Sequence, residues 1–139
     1  MTVDPMLLDT VFVQALLDRN DQLHARAKSL RPLLDRAKTV YITEAVLVEI
    51  GNALSSRNRA GAVAFIEMCY RTPNIRVVEV DSQRLMNALA LYRDRPDKSW
   101  GLTDCLSFVV MREFGLTDAL TADEHFVQAG FRALMREGT

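Results

Sequence analysis

Two aspartates follow short apolar runs that predict β-strands. Asp9 comes directly after Met6–Leu8, and Asp123 comes just after Ala119–Thr121. Each also precedes a helical pattern, so capping that helix is an equally good local role for it. The ends of parallel strands meet at one edge of a sheet, which is where open α/β sheets bind their ligands. The two aspartates are therefore candidates for a site at that edge.

Two further acids lie in predicted helices. Asp104 is in the first turn of a helix over Thr103–Phe114, whose later positions are apolar on nearly every side. The helix dipole stabilises an acid at this position, so a purely structural role for Asp104 is as good an explanation as a role in a functional site. Glu49 borders the buried stripe of a helix predicted over Glu44–Ser56. A boundary residue with a solvated tip is the more common case for such a glutamate.

Gathering four carboxylates in one cleft requires something that offsets their repulsion. Burial alone would raise their pKa values and neutralise them. A divalent cation keeps them ionised, and Mg²⁺ or Mn²⁺ prefers oxygen ligands of this kind. Such a cation lowers the pKa of a bound water and offsets charge on a leaving oxygen. The set of acids therefore predicts hydrolysis of a phosphodiester bond.

Other kinds of site are excluded by the residues present. The six glycines never form a phosphate-binding loop, and no Gly-x-Ser-x-Gly nucleophile elbow occurs. The two histidines, His24 and His125, lack the spacing of a zinc site. His125 follows two residues after Asp123 and could touch a site there, yet an ordinary polar residue on a short exposed helix is the expectation for it.

The composition is that of an ordinary globular chain. The 139 residues are 49% apolar and 25% charged, and 17 basic residues nearly balance 18 acidic ones, which gives a net charge of −1. This balance excludes a strong overall field toward nucleic acid or membrane, so any basic binding surface must be local. Two cysteines in apolar patterns, no basic leader and no long apolar run predict a reduced, cytoplasmic protein without a membrane segment.

Apolar runs alternate with segments of helical period, which is typical of βαβ units and a parallel sheet. The predicted strands lie near Met6–Leu8, Thr39–Ile42, Arg76–Val80, Ala119–Thr121 and Phe131–Leu134. The predicted helices are Thr10–Leu17, Asp21–Ala37, Glu44–Ser56, Arg59–Tyr70, Ser82–Tyr92, Thr103–Phe114 and Glu124–Ala129. Pro32 is expected to bend or break the second of these helices.

Four stretches of the chain together resemble a known family. The sequence is similar to the PIN-domain ribonucleases and, within them, to the VapC-like toxins of bacterial toxin-antitoxin modules. The stretches are Leu8-Asp9-Thr10 followed by Ala15-Leu16-Leu17-Asp18, then Thr43–Leu54 around Glu49, then Asp97-Lys98-Ser99-Trp100 to Thr103-Asp104-Cys105, and Leu120-Thr121-Ala122-Asp123 with Phe126. Two departures are Asp4-Pro5, which shortens the first strand, and Val11, where a small hydroxyl residue is common.

The resemblance implies a three-layer α/β/α PIN-like fold with a central, mostly parallel sheet, formed by residues 1–139 as a single nuclease domain. It implies that Mg²⁺ or Mn²⁺ supports endonucleolytic cleavage of RNA. Asp9 and Asp104 would be the principal metal ligands, and Asp123 would complete the cluster. Glu49 would bind metal or orient the attacking water. Thr10 would supply a supporting hydroxyl beside Asp9.

The resemblance also implies partners. The irregular connection Arg93–Gly101 is the local basic segment, and loops of this length often carry function. Arg93, Arg95 and Lys98 are therefore candidates for RNA phosphate contacts. Trp100 is a candidate surface for base stacking, although a lid over the core is an equally good role for it. A cognate antitoxin that inserts a basic side chain among the acids, and a second copy in a homodimer, are the expected protein partners.

Competing interpretations differ in what they require near Asp9. A phosphorelay receiver domain needs adjacent acids after its first strand and a late lysine, and a haloacid dehalogenase phosphatase needs Asp-x-Asp, where this chain has Val11. Two alternatives within the resembled family stay open. One is a housekeeping RNA-processing nuclease, and the other is a PIN-like binding subunit without catalysis.

Overall fold

A computed structural model describes residues 3–138 of the chain. Residues 1, 2 and 139, which the predicted domain of 1–139 includes, lie outside the described residues. The strands of the described part are β1 (Met6–Leu8), β2 (Val40–Thr43), β3 (Ile75–Val78), β4 (Asp118–Leu120) and β5 (Arg132–Ala133). These strands alternate with helices, as the sequence pattern predicts.

The helices divide into two groups along the chain. The first group is α1 (Thr10–Leu17), α2 (His24–Leu30), α3 (Pro32–Arg36), α4 (Glu44–Ala53) and α5 (Arg59–Arg71). The second group is α6 (Ser82–Asp94), α7 (Leu102–Glu113) and α8 (Glu124–Gln128), and a short 3₁₀ helix (Leu134–Arg136) follows β5. Within residues 3–138, no helix combines the length and the apolar character needed to cross a bilayer.

The five strands form one sheet in the order β3-β2-β1-β4-β5, and every neighbouring pair is parallel. β1 lies in the middle and all three of its residues are buried. Leu8 at the end of β1 pairs with Leu120 at the end of β4. The residues that follow, Asp9 and Thr121, therefore stand side by side at the carboxyl edge of the sheet.

The sheet separates two hydrophobic cores, because alternate side chains of a strand point to opposite faces. Met6 and Leu8 pack with the first group of helices, whereas Leu7 packs with the second. Phe12 of α1 and Phe108 of α7 are fully buried representatives of the two cores. The predicted three-layer α/β/α fold is therefore confirmed, and its described strands are all parallel.

The segment predicted as helical over Asp21–Ala37 is broken at Pro32, as expected. It forms two helices because Pro32 begins α3 and cannot continue the hydrogen bonding of α2. The segment also starts late, since the Asp21 carboxylate accepts the Leu23 N–H at 2.8 Å in a turn that precedes α2. The predicted bounds of α1 are confirmed at both ends.

Phe108 provides a test of the second core. Its ring contacts Trp100 and Phe126 edge-to-face, with centroids 5.1 and 5.0 Å away. We expect Phe108→Ala to lower the free energy of unfolding by about 3–5 kcal/mol in urea denaturation, because a buried cavity is left behind. Val127→Ala on the exposed face of α8 is the control, with a loss below about 0.5 kcal/mol. Similar losses in the two variants would contradict this packing.

Candidate active site

Asp9 is a buried carboxylate at the end of the central strand. It precedes α1, but its side chain makes no capping hydrogen bond to that helix. Instead, the Thr121 hydroxyl donates to Asp9 Oδ2 at 2.7 Å. The capping role that the sequence allowed for Asp9 is therefore wrong, and its burial is explained by the site rather than by the helix.

The environment of Asp9 disfavours its charged form. Burial, which leaves the residue only 4% exposed, raises its pKa from 3.8 to about 7. Hydrogen bonds from the Thr121 side chain and the Thr10 backbone lower the pKa, while the charges of Asp104 and Asp123 raise it. The structure thus brings three of the predicted acids into one electrostatic group, and no Lys or Arg among residues 3–138 forms an ion pair with any of them.

Asp104 reaches this group from the first turn of α7. Its Oδ2 accepts the N–H of Gly101, the residue that precedes the helix, at 3.1 Å. Burial raises the pKa of Asp104, and the neighbouring charge of Asp123 raises it further. Asp104 therefore stabilises the start of α7 and also belongs to the acidic group, so the structural role and the site role expected from the sequence occur together.

Asp123 lies directly before α8 and caps it, since its Oδ1 accepts the His125 N–H at 2.9 Å. Its own N–H donates to Thr121 Oγ1 at 3.0 Å. The Thr121 hydroxyl thus links the backbone of Asp123 to the carboxylate of Asp9. Sequence reasoning assigned Thr121 no role, although a threonine that ends a strand two residues before an acid is a signal for such a link.

His125 is part of the acidic group, and the expectation of an ordinary exposed polar residue is wrong. Its Nδ1 lies 3.1 Å from Asp104 Oδ2 and 3.2 Å from Asp123 Oδ1. Its Nε2 lies 3.2 Å from Ser99 Oγ, and the side chain is 22% exposed. The available signal was its position two residues after a capping aspartate, where the side chain turns back toward the cap.

The donor atoms of this group fit a divalent cation. Ligand atoms of Asp104, Asp123 and His125 lie within 4.8 Å of one another. Asp9, Asp104 and Asp123 each use one carboxylate oxygen in the bonds described above, and the second oxygen accepts no side-chain hydrogen bond among residues 3–138. Asp9 is outside the set whose ligand atoms lie within 4.8 Å of one another and is linked to it through the charges of Asp104 and Asp123. Carboxylate oxygens in such an acidic group are the ligands that Mg²⁺ or Mn²⁺ prefers.

Glu49 lies at the margin of the group. It is exposed on α4, and its Oε1 accepts the Thr10 hydroxyl at 2.7 Å. The hydroxyl of Thr10 therefore supports Glu49 rather than the neighbouring Asp9, which receives its hydroxyl bond from Thr121. Glu49 is outside the set of side chains whose ligand atoms lie within 4.8 Å of one another.

The predicted RNA contacts Arg95 and Lys98 lie on the connection between α6 and α7, and Arg93 lies in the last turn of α6. Arg93 is exposed and pairs with Asp94 at 3.2 Å, and Arg95 pairs with Asp97 at 3.0 Å. Lys98 makes no ion pair with any of residues 3–138. Surface ion pairs of this kind are weak, so both arginines can exchange their partners for a phosphate.

Trp100 is in the core, which contradicts its predicted role as a stacking surface. It is 5% exposed, its ring packs on Phe108, and its Nε1 donates to Gln128 Oε1 at 3.1 Å. The Arg95 guanidinium lies over the ring, 5.1 Å from its centroid. The alternative role of a lid over the core is the one that the structure supports.

Comparison with known proteins shows which family the chain belongs to. The family model for the PIN domain matches residues 6–132, a range that includes all four predicted acids. The chain belongs to the PIN-domain family. A solved structure similar to this PIN domain is that of Mycobacterium tuberculosis VapC20, described as a toxin that cleaves the sarcin-ricin loop. The TM-score is 0.82 and the identity 27%, over 91% of this chain and 96% of VapC20.

No curated protein matches the chain in sequence. The resemblance to the PIN-domain ribonucleases and VapC-like toxins is nevertheless confirmed by the family match and by the likeness to VapC20. The acidic edge of this PIN domain lies within the matched range, whereas the 3₁₀ helix at Leu134–Arg136 lies beyond it.

The raised pKa of Asp9 makes the stability of the metal-free PIN domain depend on pH. The folded protein holds a proton on Asp9 up to about pH 7, whereas the unfolded chain releases it near 3.8. The free energy of unfolding should therefore fall as pH rises above about 4 and level off above about 7, with a loss of about 3 kcal/mol from about pH 5 to about pH 8. Asp9→Asn should remove this decrease.

Urea denaturation in EDTA measures the effect. Asp35→Asn, which makes the same chemical change on the exposed side of α3, is the matched control and should retain the wild-type decrease. If wild type and Asp9→Asn lose stability equally between these pH values, burial of an ionisable Asp9 is not the cause.

Proposed function

We propose that the chain, acting as a single PIN domain over residues 1–139, is a metal-dependent endoribonuclease and the toxin of a toxin-antitoxin module. The observation that carries this proposal is the convergence of Asp9, Asp104 and Asp123 at the carboxyl edge of the sheet, each with an oxygen left for a cation. Family membership and the likeness to an RNA-cleaving VapC toxin support the same assignment.

In this proposal, the residues of the chain have distinct tasks. Asp9, Asp104 and Asp123 would hold Mg²⁺ or Mn²⁺, which would lower the pKa of a water and offset charge on phosphate oxygens. Thr121 keeps the Asp9 carboxylate in place through its 2.7 Å hydrogen bond. Glu49 is exposed and oriented by Thr10, and we assign it to accept a proton from the attacking water.

The RNA would approach along the connection between α6 and α7. A cavity of about 410 Å³ there is lined by Arg95, Lys98 and Ser99, together with Tyr92, Pro96 and Trp100. Ser99 also contacts His125, so the cavity adjoins the acidic group. Basic side chains at this position can hold phosphates beside a negative site, where they position RNA without reading its bases. Arg93 extends the same basic segment.

The protein partners follow from the resemblance to VapC toxins. A cognate antitoxin would silence the nuclease by placing a basic side chain among the acids, because their uncompensated charge attracts a guanidinium or ammonium group. A homodimer is proposed on the same resemblance. Cys69 and Cys105 are both free and buried, which agrees with a cytoplasmic protein acting on cellular RNA.

Cleavage of a panel of structured RNAs tests the proposed activity. Purified protein, freed of any bound partner, should cut RNA with Mg²⁺ or Mn²⁺ and not with EDTA. Asp9→Asn and Asp104→Asn should each reduce cleavage at least about 100-fold, since losing a metal ligand costs more than losing an outer hydrogen-bond partner. Asp35→Asn is the control with unchanged activity.

The same purified protein, together with its expression in cells, distinguishes the toxin from the two alternative functions. A folded wild type that cuts no RNA and binds no divalent ion would indicate a PIN-like binding subunit. Metal-dependent cutting by a protein whose expression does not arrest growth would indicate a housekeeping RNA-processing nuclease. Growth arrest that an adjacent antitoxin gene relieves would support the toxin.

The contribution of Lys98 to RNA binding appears in the salt dependence of affinity. In an Asp104→Asn background, Lys98→Ala should weaken binding of a single-stranded RNA and reduce the slope of log affinity against log salt by about 0.7, the value for one phosphate contact. Lys38→Ala is the matched control, because Lys38 is exposed just before β2, at the opposite edge of the sheet. Fluorescence anisotropy at several salt concentrations gives both slopes, and equal slopes would remove Lys98 from the RNA surface.

A further inference from the structure

A serine and a histidine from separate segments form a short chain of contacts behind two of the acids. Ser99 Oγ lies 3.2 Å from His125 Nε2, and His125 Nδ1 lies 3.1 and 3.2 Å from the carboxylates of Asp104 and Asp123. His125 belongs to the set of three side chains whose ligand atoms lie within 4.8 Å of one another. Mg²⁺ and Mn²⁺ prefer oxygen ligands, which the carboxylates supply, so neither His125 nor Ser99 has to bind the metal itself. Their role therefore needs a separate explanation.

The contacts determine where the imidazole carries its proton. Nδ1 faces two carboxylate oxygens, and ionised carboxylates only accept hydrogen bonds, so Nδ1 must be the donor. Nε2 faces a hydroxyl, which can donate to it. A neutral imidazole with its proton on Nδ1 thus satisfies every contact, and a nitrogen that carries a proton cannot bind a cation.

The same contacts fix which carboxylate oxygens remain for a cation. His125 Nδ1 and the backbone hydrogen bonds all meet Asp104 Oδ2 and Asp123 Oδ1. Asp104 Oδ1 and Asp123 Oδ2 are left without a side-chain partner among the described residues. One N–H shared by two carboxylates also reduces the repulsion that would otherwise drive the pair apart before a cation arrives.

A second contact holds this arrangement in place. Trp100, the residue after Ser99, is buried and donates its Nε1–H to Gln128 Oε1 at 3.1 Å. Gln128 follows His125 by three residues on α8, so the two residues are neighbours on one face of that helix. The loop before α7 and the helix α8 are therefore joined at two adjacent points, and the imidazole lies between them.

We propose that His125, held by Ser99, is a positioning residue that keeps Asp104 and Asp123 together with one oxygen of each directed to the metal. The inference rests on the proposed metal site and adds two residues that act through its ligands. Outer partners that orient metal ligands typically contribute about 10- to 100-fold to metal affinity.

Direct metal binding tests the inference without reference to activity. The full chain is titrated with Mn²⁺, and electron paramagnetic resonance of the free ion reports binding. We expect His125→Ala to weaken Mn²⁺ affinity by about 10- to 100-fold.

His125→Asn should restore affinity to within about threefold of wild type, because its amide N–H takes the place of Nδ1–H. His125→Gln is the matched control, since its amide reaches the place of Nε2 and should not restore affinity. Ser99→Ala should give a smaller loss than His125→Ala.

The outcomes separate the inference from the proposed function. A wild type that binds no Mn²⁺ would overturn the metal site and, with it, the role of His125. If wild type and His125→Ala bind Mn²⁺ with equal affinity, the positioning role of His125 is wrong and the proposed metal site is retained. Equal affinities of His125→Asn and His125→Gln would also overturn it. Circular dichroism checks folding, and if His125→Ala does not fold, the comparison of the two amide variants decides.

Discussion

The burial of the Asp9 carboxylate is the constraint on which the rest of the site depends. The central strand β1 is covered on both faces, so the residue that ends it enters a region with little water. Ionising an acid there is costly, and hydrogen bonds from the Thr121 hydroxyl and the Thr10 backbone offset only part of that cost. Adding Asp104 and Asp123 nearby increases the imbalance. A proton or a cation would offset this imbalance, which supports the proposed cation site.

The surrounding elements satisfy one side of each acid and leave the other side open. Asp104 and Asp123 each accept a backbone N–H near the start of a helix, where such acids are stabilised in any case. Local helix energetics therefore place both carboxylates before any ligand binds. The Asp9 side chain makes no capping hydrogen bond to α1 and is stabilised mainly by Thr121, whose hydroxyl in turn accepts the N–H of Asp123. Pre-organisation of the ligands thus comes from ordinary capping and from one bridging hydroxyl.

Features that depend on local pattern could be predicted from the sequence, and features that depend on distant contacts could not. The apolar run Met6–Leu8 and the capping residue Thr43 mark β1 and the start of α4 because their signals are neighbours in the chain. The acids Asp9, Asp104 and Asp123 could be chosen because each stands at an element boundary. The environment of His125 is set by Ser99 and Asp104, which are 26 and 21 residues away, and no periodicity encodes those contacts. Trp100 was ambiguous for the same reason, since its burial depends on packing against Phe108 and α8.

The parallel order of the strands explains why one edge of this small domain collects so many acids. β1 and β4 are adjacent although more than a hundred residues separate them, so their ends bring Asp9 and Asp123 together. Helix α7 adds Asp104 from the second core. Any cation that binds the folded chain here stabilises it, because it removes a repulsion that the unfolded chain does not have. A divalent metal and a basic side chain of an antitoxin would both be attracted by the negative charge of these carboxylates. They would compete, because both need the free oxygens of the same carboxylates.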